Sequence, residues 1–206
     1  VRGRIKELPF NEPVEQLLHI ASEHLEKVDV NTDADKLTKL VETIHDAQVF
    51  PLKSQLEDDL AKSLYPLDPI AAATIALALQ TYGQNERSLF SFLQSEDHNG
   101  IKEFQTDGST LYNLPRVYDY LLYNFHSFIA SKYNPHYIQW NALRSAIDRV
   151  ESSFNNHVFE RKEIVKTIGL LSIFGASSAK IDGHFLQNYL SATSNQENVE
   201  QLLHEL

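Results

Sequence analysis

Apolar positions recur along this chain with helical rather than strand spacing. Val14, Leu17, Leu18, Ala21, Leu25 and Val28 fall at i, i+3, i+4, i+7, i+11 and i+14, the stripe of an amphipathic helix, and Pro13 suits its first turn. Leu37, Leu40, Val41 and Ile44 repeat the pattern behind Asp33 or Asp35 as a cap. Leu52, Leu56, Leu60 and Leu64 form a stripe that stops at Tyr65-Pro66, because a residue before proline is pushed out of the helical region. Asp68-Pro69 then restarts the chain as cap and first turn of a buried helix from Ile70 to Tyr82, with Gly83 as its natural stop. Asn85 caps a helix carrying Leu89, Phe90, Phe92 and Leu93. The stretch from Gln94 to Tyr112, rich in Ser, Asp, Asn and Gly, reads as an exposed connection. Val117, Leu121, Phe125, Phe128 and Ile129 predict a long aromatic helix just after Pro115, and Leu143, Ala146, Ile147, Val150 and Phe154 predict the next. No run of five or more residues alternates as a half-buried strand does, so few or no strands are expected.

The end of the chain divides into three short helices with tight joints. The first spans roughly Arg161 to Phe174, Gly175 to Lys180 turns the chain, and a short helix surrounds Phe185 to Leu190. Asn195 is the expected cap of a last helix with Val199, Leu202, Leu203 and Leu206 on one face. This pattern matches the helical opening of a winged-helix or helix-turn-helix unit, with the wing expected beyond Leu206. The predicted fold is therefore all-α: a multi-helix bundle over residues 1–157, followed by a partial winged-helix unit over 158–206.

Composition narrows the function classes. With 206 residues and 42% hydrophobic positions the chain can bury a real core. The most apolar stretch, Ile70 to Leu79, is shorter than a membrane span needs, so no membrane association is expected. There is no cysteine, which excludes disulfides and thiolate metal sites and fits a cytoplasmic setting. A net charge of −10 opposes general nucleic-acid binding, and the basic cluster Arg2, Arg4 and Lys6 is too short to reverse that. The chain opens at Val1 without an initiator Met and ends in mid-helix, which suggests a segment of a larger protein.

Three strings stand out: Leu64-Tyr-Pro-Leu-Asp-Pro69, Gly83-Gln-Asn-Glu-Arg-Ser-Leu-Phe-Ser-Phe-Leu93, and Leu111-Tyr-Asn-Leu-Pro-Arg-Val-Tyr-Asp-Tyr-Leu121. Together they resemble the region downstream of the nucleotide-binding core in large bacterial P-loop ATPases of the AAA+/STAND kind, including those of BREX-type phage-defence systems. Asp68 stands where that family commonly has His, and Ser88 where it has Thr. The resemblance covers about Leu64 to Leu206. It implies a lid, sensor or coupling module, with Tyr65, Pro66, Asp68, Pro69, Tyr118 and Asp119 as motif residues. It also implies Arg87, flanked by Asn85 and Glu86, as the residue that senses nucleotide. ATP and Mg would belong to the parent protein, upstream of Val1, and the partners would be the rest of that ATPase and neighbouring subunits.

On the residues alone, an arginine fork such as Arg87 can read a phosphate, and it can equally pair with Glu86, Asp119 or Glu103 and lock helices together. No Walker A occurs: none of the eleven lysines follows Gly-x-x-x-x-Gly, and Lys166-Thr167 follows no glycine loop. The segment is accordingly expected to hold no cofactor and to catalyse nothing alone. An HD-type metal phosphohydrolase is the enzymatic rival, with His19 or His24, His45-Asp46 and Asp148 as nominal ligands. His45-Asp46 lacks the glycine that usually follows such dyads. His136, His157, His184 and His204 read as surface or interface residues. There is no Gly-x-Ser-x-Gly for a serine hydrolase. The last helix, taken as Gln196 to Leu206, would expose Gln196, Glu197, Glu200, Gln201 and Glu205, whose charge repels phosphate; DNA binding by it is not expected. A helical protein-interaction scaffold is the reading from another class.

Overall fold

Helices account for the regular structure of the described residues, and several of them start or stop for a local reason. The computed structural model describes residues 13–25, 34–50, 58–82, 86–94, 96–104 and 110–206, and of residues 34, 35, 58 and 86–88 the backbone alone. Within them lie α1 (Val14–His24), α2 (Ala34–Ala47), α3 (Asp58–Ser63), α4 (Pro69–Tyr82), α5 (Glu86–Gln94), α6 (Leu114–Asn124), α7 (His126–Ile129), α8 (Tyr137–Ser153), α9 (Val158–Phe174), α10 (Gly183–Ser194) and α11 (Val199–His204). No strand occurs among the described residues; the nearest approach is one parallel bridge between Leu67 and Tyr112. No helix among them is long and apolar enough to cross a membrane. Val28, Asp33, Leu52, Leu56, Gly83 and Asn85, used above to place helices and caps, lie outside the described residues.

α4 is the centre. Ile70, Ala71, Ala72, Ala73, Ile75, Ala76, Ala78 and Leu79 are all buried, as a helix apolar on every side requires. It packs against α1, α5, α6 and α9, and its small side chains let those neighbours approach closely. The cap expected from the sequence forms: Asp68 accepts from the backbone N–H of Ile70 at 2.8 Å and of Ala71 at 3.2 Å. The peptide Tyr65-Pro66 that ends the α3 segment is cis. At the far end of α4, Tyr82 stacks among Phe128, His136 and Phe174, and its hydroxyl accepts from Trp140 Nε1 at 2.8 Å. His136 is half-buried, and desolvation lowers its pKa.

Four expectations are corrected. The aromatic helix after Pro115 breaks at Phe125, whose ψ of 18° ends α6 and begins the single turn of α7. The connection after α5 is not simply exposed: Gly100, Ile101, Leu111 and Tyr112 are buried, and the Tyr112 hydroxyl donates to the Asn99 carbonyl at 2.6 Å. The helix around Phe185 is longer than predicted because Asp182 caps it early, accepting from Phe185 N–H at 2.8 Å. Asn195 closes α10 in the left-handed region (φ 57°) instead of opening α11. The start of α11 is held from α10, where Gln187 Oε1 accepts from Val199 N–H at 2.9 Å.

The three helices α9, α10 and α11 pack on one another, and they are joined to the rest. α9 lies against α8, α6 and α4, and α10 lies against α2. One apolar cluster includes Leu64, Ile70, Leu121 and Trp140 together with Leu170, Tyr189 and Val199, so it runs across residue 157.

Candidate functional site

Two of the three motif strings meet in a buried hydrogen-bonded junction. The first string leaves α3 at Tyr65-Pro66 and starts α4 at Pro69, and the other enters α6 with Pro115 in its first turn, so short non-helical segments remain whose backbone groups need partners. They find them in each other: Tyr112 N–H donates to the Pro66 carbonyl at 2.8 Å, and Asp68 N–H to the Tyr112 carbonyl at 3.1 Å. Tyr65, Pro66, Asp68 and Pro69 are all buried in this joint.

A third element completes it. Tyr189, on α10, donates its hydroxyl to Asp68 Oδ2 at 2.6 Å and accepts from Leu114 N–H at 2.9 Å. One hydroxyl thus links the cap of α4, the start of α6 and the terminal helices. Leu111 N–H donates to the Thr193 carbonyl at 3.0 Å, and Asn113 Nδ2 donates to Ser194 Oγ at 2.6 Å. Burial pushes the Asp68 carboxyl up to about 7, against the hydroxyl and two backbone donors that pull it down.

Tyr118 and Asp119 sit one turn along α6, facing α9. Tyr118 stacks on Trp140, and burial raises its hydroxyl to about 12. Both Asp119 oxygens accept from Lys166 Nζ, at 2.7 and 2.8 Å, and that ammonium lies 5.2 Å from the Tyr118 ring. Asp119 therefore has a cation of its own, and Glu103 accepts from Asn99 N–H at 2.6 Å. The backbone of Glu86 and Arg87 forms the first turn of α5; their side chains, and Asn85 entirely, lie outside the described residues.

The nominal HD ligands are dispersed over α1, α2 and α8. His24 Nδ1 donates to the Ile20 carbonyl at 2.9 Å and the ring packs edge-on against Phe90. Among the described residues no group of three or more His, Asp or Glu converges to hold a metal.

Comparisons with protein-family models, with curated proteins and with solved structures return no match.

Sequence reasoning named the two motif strings and missed their partners. Tyr189, Thr193 and Ser194 carried no signal beyond ordinary helix and turn chemistry. Gln196, expected to be exposed on a reading helix, is buried and donates through Nε2 to Glu163. Glu205 is exposed as expected, and it pairs with the buried Arg161.

Proposed function

We propose that this chain is a non-catalytic lid, sensor or coupling module of a larger P-loop ATPase, relaying nucleotide state to partner or DNA-facing parts. The observation that carries the reading is the Tyr189 hydroxyl between Asp68 and Leu114 N–H. It ties both family-like strings to the terminal helices, so a displacement of α4 or α6 is felt directly by α10. In this reading α9 to α11 are the helical half of a winged helix, and Arg87 meets nucleotide or a neighbouring subunit. ATP and Mg belong to the parent's own core, in a cytoplasmic protein of phage defence or a related DNA transaction.

The test is made in the intact protein. Its sequence before Val1 is expected to hold a Walker A and a Walker B. Replacing Arg87 with Ala is expected to lower ATP turnover while circular dichroism stays unchanged; an unaltered rate would return Arg87 to a structural role. If the Walker elements are missing altogether, the ATPase reading ends and an interaction scaffold replaces it. The scaffold has one specific support: Tyr133 and Ile138 are 80% and 78% exposed within six residues of one another.

A further inference from the structure

The cleft formed by the α6 approach, the start of α9 and the α10–α11 joint is lined by two buried amides whose oxygens lack a donor. It has a volume of about 430 Å³, in the range of small-ligand pockets, and is lined among others by Asn113, Arg116, Phe159, Glu163, Ser194 and Gln196. Glu163 is 8% exposed, and its hydrogen-bond partners are the neutral side chains of Gln196 and Ser194.

Two amide oxygens beside it have no partner: Asn113 Oδ1 and Gln196 Oε1. Their orientation follows from the neighbours. Gln196 turns its NH₂ towards the Glu163 carboxyl, whose pKa is raised by burial against the pull of Gln196, Ser194, Lys166 and Arg116, and its own oxygen is left over. The single Thr193 hydroxyl proton is given to the Tyr189 carbonyl at 2.9 Å, and the Ser194 hydroxyl donates to Glu163. Both hydroxyls can then only accept from Asn113, which must present its NH₂ and leave Oδ1 over. Asn113 and Gln196 are 2% and 8% exposed, so each orphan oxygen is an energetic cost that a donor would remove.

The charges agree. Glu160, Glu163 and Glu197 line the cleft against one arginine, Arg116, whose guanidinium is stacked 4.5 Å above Phe104. Glu160 faces His157 at 3.4 Å. Of the two lysines nearby on α9, Lys162 pairs with Glu151 at 2.5 Å and Lys166 is held by Asp119. At the rim Phe159 is 68% exposed, a free aromatic face of the kind on which planar cations stack.

We infer that this cleft binds a guanidinium group, donated to Glu163 and to the orphan amide oxygens of Asn113 and Gln196, with its plane against Phe159. A guanidinium supplies five N–H donors in one plane and a permanent charge; an ammonium has three donors and no flat face. The group comes either from a small guanidino compound or from an arginine side chain of a partner. The site is independent of the ATPase reading and stands or falls without it.

Calorimetric titration of the chain with agmatine, with a capped Gly-Arg-Gly peptide and with L-citrulline tests this. Saturable binding of at least one guanidinium probe is expected, with none by citrulline, whose urea is flat but uncharged. Tighter agmatine binding assigns the site to a free compound, and tighter peptide binding to a partner's arginine. Glu163→Gln is expected to weaken binding about tenfold or more, since it removes a charged acceptor. Phe159→Ala is expected to weaken it severalfold, and, lying on the surface, it keeps the test decisive if the Glu163 variant unfolds. The inference is overturned if neither guanidinium probe binds at millimolar concentration, if citrulline binds equally well, or if a folded variant retains full affinity.

Discussion

A carboxyl group without exposed surface must have either its charge or its proton provided for, and Asp68 is such a group. Two backbone N–H groups and the Tyr189 hydroxyl point at it, and burial nevertheless raises it to about 7. Its ordinary value is 3.8, so between these two values the folded chain holds a proton that the unfolded chain has released. Stability from this residue is fully present below the lower value, declines as pH rises and is lost once pH passes the higher one. The total is on the order of 4 kcal/mol. Urea unfolding from about pH 5 to about pH 8 is expected to show the decline, and Asp68→Asn, which cannot ionise, to flatten it. Equal slopes in the two proteins would place the charge elsewhere. Tyr189→Phe removes the hydroxyl alone, leaving Leu114 N–H buried without an acceptor and Asp68 short of a donor. A loss of about 2–3 kcal/mol is expected in the same measurement.

At the scale of helices, what the sequence made legible was whatever is written in local spacing and punctuation. The stripes of α1, α2 and α8, the all-round apolarity of α4, and the Asp68-Pro69 restart all follow from periodicity and cap chemistry, which depend on residues within a few positions. The break at Phe125 and the burial of Tyr112 do not, because they depend on segments distant in sequence. The same holds for the candidate site: both strings were visible, but Tyr189 lies 121 positions from Asp68 and has no special spacing. Gln196 was misplaced for a related reason, since a polar side chain is assigned to solvent unless its buried partner is known. Gly169 is a further feature that only packing explains. A Cβ there would lie 2.3, 2.5 and 2.8 Å from three atoms of the buried Leu143 side chain on α8. Gly169→Ala gains about 1 kcal/mol of helix propensity, and the overpacking costs about 1–3 kcal/mol, so a net loss is expected. In a Leu143→Ala background the clash is gone, and the same change is expected to stabilise. A double-mutant cycle by urea unfolding measures that reversal, and additive effects would show that α8 and α9 have room to spare.

For the whole molecule the open question is how many cooperative units there are, because the sequence pattern suggests a bundle to residue 157 and a separate unit after it. The contacts across that boundary have several origins. Lys166 holds Asp119, Tyr189 holds Asp68 and Leu114, Leu111 pairs with Thr193, and Ala176 and Lys180 N–H donate to the Val49 and Ala47 carbonyls at 2.8 and 2.9 Å. α4, α6 and α8 all rest on α9. Removing residues 158–206 would therefore strip the central helix of a neighbour, expose the Tyr118–Trp140 stack and leave the Asp68 carboxylate without its hydroxyl donor. Losses of this kind, a few kcal/mol each, together exceed the 5–15 kcal/mol by which a domain is ordinarily stable. Unfolding of the whole chain is expected to be a single transition, with helix signal and Trp140 fluorescence changing together and calorimetric and van't Hoff enthalpies equal. The 1–157 piece is expected to lack a cooperative transition at all. Two separated transitions, or a 1–157 piece that melts as sharply as the whole, would show that the terminal helices fold apart and that a relay through Tyr189 connects two bodies rather than working inside one.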